Sequence, residues 1–392
     1  MKIVHLMGYF MPEFGYQEYY LAKEHAKMGH DVHVIASDRL YPFKNIKKMF
    51  EDSGLRYYGR KRKAALSRIE GIKVHWLPRI IEYNDFILCR NLKQTLEKIR
   101  PDIVFAHESR QGLSCQAAFY KDALGFRLIV DQHDFYHKIK GRLKTILRYI
   151  EYYGFRKRLI DYNFRKAEKI IAVTEHTREF LMKAHKIPGK NIEVIELGVD
   201  TGLYCHRENT GALRKRLGIK KDEVVLMFVG TIYPRKNIEM LMEAYSELPS
   251  WDKARLLIVG EGDADYMEKL KAHSKRLEHS EKITFAGFAK RSELPSYYSM
   301  ADVGVWPANN SVSIIEAMAC RLPVVIVDWQ MPHLVSHKNG FKFPFNDKKR
   351  LKECLEALIS GKKLRLRMGK NSEKAANKLY SYRAIAKRFL GK

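Results

Sequence analysis

Short runs of consecutive apolar residues alternate along this chain with longer stretches whose apolar positions recur every three or four residues. The runs at 2–7, 30–36, 72–77, 102–106, 127–132, 169–174 and 192–197 fill the first half, and those at 224–230, 255–260, 282–286, 301–306, 323–328 and 341–345 fill the second. Most are apolar at every position rather than at alternate ones, which suits parallel strands covered on both faces. Helical patterns lie between them, at 17–28, 109–123, 237–247, 265–279 and 313–320 among others. A strand–helix order that runs through once and then starts afresh predicts two doubly wound α/β domains. A length of 392 residues suits two domains. The polar stretch through Arg207, Glu208 and Asn209 marks the boundary, so we expect domains at 1–200 and 201–370, then a C-terminal helix at 371–392 that packs elsewhere.

Composition changes this picture in one respect. The hydrophobic content of 46% is that of an ordinary folded protein, but 72 Lys and Arg against 45 Asp and Glu leave a formal charge of +27. Residues 43–68, 135–166 and 341–392 carry +7, +8 and +12, which accounts for the whole excess. Such a field attracts an anionic partner, whether nucleic acid, membrane surface or phosphorylated ligand. Nothing in the sequence supports nucleic acid: there is no zinc-finger spacing, no RNP-like aromatic run and no basic zipper. The five cysteines are odd in number and widely spaced, without C-x-x-C, so we expect a reducing compartment, no disulfide framework and no zinc ribbon. The first residues lack a signal-peptide pattern, and no apolar run approaches the roughly 18–20 residues that span a bilayer.

Ligands of open parallel sheets bind beyond the carboxyl ends of the strands, so the candidate residues follow strands. In Val229-Gly230-Thr231-Ile232-Tyr233-Pro234-Arg235-Lys236-Asn237 a glycine permits close approach and two cations precede a helix. That arrangement suits a diphosphate; the alternative is a solvated basic turn. In Trp306-Pro307-Ala308-Asn309-Asn310-Ser311-Val312-Ser313-Ile314-Ile315-Glu316 a polar loop leads into a helix capped by Ser311 or Ser313. Glu316 sits on an otherwise apolar turn, where a carboxylate is costly unless paired. A ligand diol such as a ribose would satisfy it; the alternative is a capping-box Glu three residues after Ser313. Gly8 through Gly15 forms the first strand–helix connection, and His133 and Asp134 follow another strand, where an imidazole can orient a sugar hydroxyl. No H-E-x-x-H and no G-x-x-x-x-G-K-[ST] loop occurs.

Taken in order and spacing, these pieces resemble the retaining glycosyltransferases of family 4, which have the GT-B fold of two Rossmann-like doubly wound domains facing a cleft. The resemblance runs over nearly the whole chain. It takes in the opening strand and Pro-x-x-Gly loop, Gly29-His30-Asp31-Val32, Phe285-Ala286-Gly287-Phe288, Leu294 with Tyr297-Tyr298-Ser299-Met300-Ala301-Asp302-Val303, and above all Glu316-Ala317-Met318-Ala319-Cys320-Arg321-Leu322-Pro323-Val324-Val325. It implies an acceptor-binding first domain, a second domain that holds a UDP- or GDP-sugar donor, a C-terminal helix at 371–392 that crosses back to the first domain, and transfer with retention and no required metal or cofactor. His133, Lys236 and Glu316 are the catalytic positions it implies. Lys236 would hold the diphosphate beside Gly230, Thr231 and Arg235, Glu316 the ribose, and Gly287 and Phe288 the base. Gly15 would lie under the phosphates, Asn310, Ser311, Val312 and Ser313 would line the donor, and His133 with Asp134 would face the acceptor. The chain departs from the family at Ala308, where the first Glu of E-x7-E is expected, at Asn309-Asn310-Ser311 for Gly-Phe-Gly, at Thr231 for an arginine, and at Tyr16 for a second loop glycine. A degenerate protein that binds a nucleotide-sugar or a partner without turnover is therefore the alternative, and an epimerase on the same fold is a further one. The basic segments interleave aromatics such as Phe50, Tyr57, Tyr58, Tyr149, Tyr152, Tyr153, Phe155, Tyr380, Tyr382 and Phe389. We expect them to form a basic, aromatic surface on anionic membrane, with a lipid-linked or oligosaccharide acceptor and a peripheral, cytoplasmic location.

Overall fold

The structure, a computed structural model, describes residues 1–133, 154, 156–308, 311–329 and 331–391. It divides into two compact units, one of Met1–Leu197 with Ile385–Lys392 and one of Gly198–Ala384.

The first unit is built on β1 (Lys2–Leu6), β2 (Asp31–Ser37), β3 (Leu66–Ile69), β4 (Ile72–Leu77), a separate hairpin of β5 (Arg79–Tyr83) and β6 (Phe86–Cys89), then β7 (Ile103–Ala106), β8 (Arg127–Gln132), β9 (Lys169–Ala172) and β10 (Ile192–Val194). The main sheet has the order β10-β9-β8-β7-β1-β2-β4-β3, parallel throughout except where β3 pairs antiparallel with β4. Its strand order reverses between β1 and β7, and such a switch point is where α/β sheets take ligands. The strands are apolar because both faces are covered: β7 and residues 3–6 of β1 are buried at every position. β3 and β5 escape the apolar-run pattern because they lie at an edge or apart, with half or more of their positions exposed, whereas β6 is apolar throughout but only four residues long.

The second unit carries β11 (Val224–Val229), β12 (Ala254–Val259), β13 (Ile283–Gly287), β14 (Val303–Trp306), β15 (Val324–Val327) and β16 (Gly340–Phe343) in the order β13-β12-β11-β14-β15-β16, all parallel. This is the 3-2-1-4-5-6 order of a Rossmann sheet, with its switch point between β11 and β14. Side-chain caps start the helices Ala264–Ser274 and Lys348–Ser360. Asp263 accepts from the Tyr266 N–H (3.3 Å) and Asp347 from the Arg350 N–H (2.8 Å), each cap contributing about 1 kcal/mol.

Candidate functional site

In the second unit backbone hydrogen bonds anchor the turn after β11. The Gly230 N–H donates to Val259 O (3.1 Å) and the Ile232 N–H to Glu261 O (2.8 Å). A Cβ on Gly260 would stand 2.0 Å from Gly230 O, and one on Gly262 1.9 Å from Ile232 O, so both positions demand glycine. Gly260-Glu261-Gly262 is not among the residues singled out from the sequence, although a G-x-G directly after an apolar strand is a readable signal. From this anchored base Pro234–Lys236 makes a 3-10 turn that passes through Asn237, at φ 55°, into the helix Ile238–Ser246.

The turn treats its two cations differently. Arg235 and Thr231 are exposed, whereas Lys236 is only 5% exposed. Tyr233 serves both: its ring lies 4.4 Å from the Arg235 guanidinium carbon and 5.7 Å from Lys236 Nζ. Burial, reinforced by the neighbouring Arg235 charge, lowers Lys236 to about 8. It is thus mostly protonated at neutral pH but costly to hold so, and an arriving phosphate would favour its charged form.

The helix Val312–Ala319 begins against the same strand end. Trp306 Nε1–H donates to Val229 O (3.1 Å) and Ser313 Oγ (3.0 Å), and Ser313 Oγ–H donates to Val229 O (3.1 Å). Ser311 is the N-cap residue, but its hydroxyl pairs with Ser313 Oγ (2.6 Å) and makes no capping bond. Neither serine therefore caps this helix with its side chain, and Glu316 is not the partner of a capping box. Its carboxylate instead accepts from the Tyr298 hydroxyl (3.0 Å at Oε2), and Tyr204 also hydrogen-bonds it. Burial raises the pKa of Glu316, opposed by the two hydroxyls and by Arg291. Part of the pairing that the sequence assigned to a ligand is thus supplied within the protein. Gly287 closes β13 at φ 72° and accepts from the Gly260 N–H (2.8 Å), Phe288 beside it is 55% exposed, and Val312 is half-buried. Asn309 and Asn310 lie outside the described residues.

In the first unit Gly15 ends the short turn Pro12–Phe14 at φ 60°, a left-handed position, and Tyr16 follows with 41% exposure. His133 follows β8, its side chain 23% exposed, with Nε2 3.6 Å from Asp131 Oδ1. The Asp131 carboxylate is 2% exposed and is fixed by the Glu108 N–H at Oδ1 (2.8 Å) and by His107 Nδ1 at Oδ2 (2.5 Å). Burial works against a charge on His133, but Asp131, with Glu108 and Glu18 further off, outweighs it and raises the imidazole to about 10. Burial also opposes the Asp131 charge, yet His107 and His133 hold its carboxyl well below the usual range. Asp134 lies outside the described residues.

Residues 18–203 match Glycosyltransferase Family 4, and residues 209–375 match Glycosyl transferases group 1. The chain belongs to the group 1, family 4 glycosyltransferases. It is 31% identical over 171 residues to the D-inositol 3-phosphate glycosyltransferase of Kineococcus radiotolerans, a match over 41% of this chain and 39% of that protein. It is 33% identical over 124 residues to the alpha-monoglucosyldiacylglycerol synthase of Acholeplasma laidlawii, 30% of each. The chain spans about two fifths or less of the length of these curated relatives. Among solved structures, HepE of Anabaena in complex with UDP superposes with a TM-score of 0.71 and 18% identity, over 100% of this chain and 99% of that one. That likeness shows the fold, the pair of Rossmann-like domains of GT-B glycosyltransferases.

For a member of this family, two local features stand out. Ala308, at the position of the missing first Glu, is 1% exposed, so its methyl belongs to the core and not to a ligand surface. Among the described residues, half of the aromatics expected on a basic surface are interior. Phe50, Tyr380 and Phe389 are buried, because their apolar rings complete the cores of their units; Tyr57 and Tyr382 are half-buried. Tyr58 alone of the described ones is widely exposed, at 81%, with Arg56 5.2 Å from its ring. Tyr149, Tyr152, Tyr153 and Phe155 lie outside the described residues. The exposed apolar side chains near Tyr58 in sequence are instead Leu55, Leu66, Ile80, Ile81 and Tyr83, interspersed with exposed Arg56, Lys61, Lys63, Arg68 and Arg79. Among the described residues no helix is long and apolar enough to cross a membrane.

Proposed function

We propose that this protein is a retaining glycosyltransferase that moves a sugar from a UDP- or GDP-sugar to a lipid-linked or oligosaccharide acceptor at a membrane surface, without a required metal. The observation that carries the reading is Lys236, buried beside Arg235 at the switch point of a Rossmann sheet, with its pKa lowered to about 8. A diphosphate there would be held by charge, and the same ammonium would stabilise the negative charge that grows on the departing nucleoside diphosphate. Glu316, oriented by Tyr298, would hold the ribose; Gly287 and Phe288 would flank the base. Thr231, Ser311, Val312 and Ser313 would line the donor together with Asn310. His133, kept cationic by Asp131, would act on the acceptor side with Asp134, and Gly15 would allow the first loop to approach the donor. The UDP complex of HepE and the lipid product named for the Acholeplasma relative support the donor and acceptor classes. The membrane contact would use the basic segments 43–68, 135–166 and 341–392, together with the exposed apolar residues between Leu55 and Tyr83.

A second reading, binding without turnover, is favoured by Ala308 and Thr231. The first puts a buried methyl where the family has a carboxylate, and the second removes one cation from the diphosphate site. Thermal shift with UDP, GDP and their sugars, on wild type, Lys236→Ala and Glu316→Ala, tests the site. Stabilisation of the wild type alone supports it, and equal responses in all three defeat it. Donor hydrolysis or transfer to lipid acceptors, with and without EDTA, separates turnover from binding. Co-sedimentation with liposomes that ignores anionic lipid would remove the membrane part.

A further inference from the structure

Four polar groups of the first unit form a file that runs away from His133 into the core. His107 Nδ1 meets Asp131 Oδ2 (2.5 Å), His107 Nε2 meets His5 Nδ1 (2.9 Å), His5 Nε2 meets His25 Nδ1 (3.0 Å), and His25 Nε2 meets the backbone oxygen of Ala386 (2.9 Å). The three imidazoles are at most 1% exposed. The rings of His5 and His107 are nearly parallel, 5° apart, and Phe105 lies 5.2 Å from His5 and 5.3 Å from His25.

Each of the four contacts needs one hydrogen. Both ends are acceptors, a carboxylate at one and a backbone carbonyl at the other, so neither supplies any. Three neutral imidazoles carry three hydrogens between them. One contact would then bring two lone pairs together in a dry interior, which is unfavourable by more than a lost hydrogen bond.

We propose that the file His25–His5–His107–Asp131 holds one extra proton as an imidazolium, and that His5 and His107 are positioning residues that set the charge His133 experiences through Asp131. With the cation on His107, its Nδ1–H donates to Asp131 and its Nε2–H to His5. His5 then donates from Nε2 to His25, and His25 from Nε2 to Ala386 O. Every lone pair and hydrogen is matched. A hop of the His107 Nε2 proton to His5 Nδ1 moves the cation one ring along and breaks no contact, so the charge is mobile while the count is fixed. Electrostatics selects the His107 end. Burial lowers His5 far below an ordinary imidazole and brings His25 to about 4, whereas for His107 the Asp131 carboxylate outweighs burial and raises it. The other titratable groups that act on the file are Glu18 from the helix Gln17–Lys27, His30 from the turn before β2, and His133 itself. Glu108 acts on His133, and Phe105 and Phe389 supply apolar walls.

The importance given to His133 rests on the function proposed above, but the proton count does not, and its test uses no substrate, so the two fail separately. In the full chain labelled with nitrogen-15 histidine, NMR at pH 8 should show one of the three buried rings protonated at both nitrogens and the other two neutral with hydrogen on Nε2. Three neutral rings would overturn the proposal. His5→Phe interrupts the file and lets its proton go, leaving Asp131 less compensated. At pH 10, where His133 of the wild type is near half protonation, His133 of the variant should stay largely protonated, a shift of about 1 pH unit. His25→Phe, further from Asp131, should move it in the same direction by less. A His133 signal unchanged in both folded variants would overturn the positioning role, and if neither variant folds the wild-type ring count still decides the proposal.

Discussion

The two candidate sites each present a buried or half-buried cation after a parallel strand, yet their electrostatics are opposite. Lys236 is lowered by burial and by a second cation beside it, so its charge becomes more favourable when an anion arrives. His133 is raised by Asp131, a carboxylate already in place and itself anchored by the Glu108 N–H and His107. The second unit thus holds a charge that favours an incoming anion, whereas the first unit holds a charge already neutralised from within. A site built for an anionic substrate gains from the first design; a site that orients a neutral hydroxyl gains from the second, because its geometry is fixed before any ligand binds.

Removing the internal anion is the severest test of that contrast. Asp131→Asn leaves His133 and His107 without their counter-charge and should cost about 3–5 kcal/mol of stability at pH 7 by urea unfolding. In the wild type the contribution of Asp131, whose carboxyl is held low, is present above the ordinary carboxylate range and fades as pH falls through its lowered pKa. That of His133 is complete below about 6.5 and fades as pH rises through about 10. Equal stability of variant and wild type across this window would show that Asp131 does not supply the counter-charge of His133. At Lys236 the sign reverses. Lys236→Met should weaken UDP binding by about 2–3 kcal/mol, roughly a hundredfold, while the nucleotide-free protein unfolds at the same temperature or higher, since a costly buried cation is gone. A variant that loses stability without losing UDP affinity would show Lys236 to be structural.

Smaller effects sharpen the same point. Because Lys236 titrates near 8, UDP binding at that pH should take up a fraction of a proton. Calorimetry in two buffers of different ionisation enthalpy reads that uptake, and Lys236→Met should abolish it. Tyr298→Phe deletes the hydroxyl on Glu316 and should cost about 1 kcal/mol of stability. A larger loss of UDP affinity than of stability would show that Tyr298 orients Glu316 for the nucleotide rather than merely packing against Tyr204.

The parallel strands were readable because a strand buried on both faces must be apolar throughout, as Val224–Val229 and Ile103–Ala106 are. β3 and β5 were not, because their exposed, mixed faces leave no run to find. At the site, the Gly230 turn and its cations announced themselves by glycine and charge beside a strand. The depth of Lys236 did not, since burial of a lysine is decided by tertiary packing. Nor did the tyrosines on Glu316: Tyr204 and Tyr298 are far from it in sequence, and a hydroxyl among apolar neighbours reads as core. The aromatics misled for the same reason. Phe50 and Phe389 stand among lysines and arginines along the chain, but helical periodicity turns the rings inward and the charges out.

The return of residues Ile385–Lys392 to the first unit has a consequence for how the protein is made. Ala386 closes the histidine file and Phe389 lies against Phe105, but all of Gly198–Ala384 is translated in between. At about 5–20 residues per second that interval is roughly 10–40 s. For that time the earlier-made unit carries an open apolar seat on the ribosome, with His25 facing water, and the hydrogen bonds of this segment to His25, Lys169 and Val194 form only when synthesis of the later unit is over.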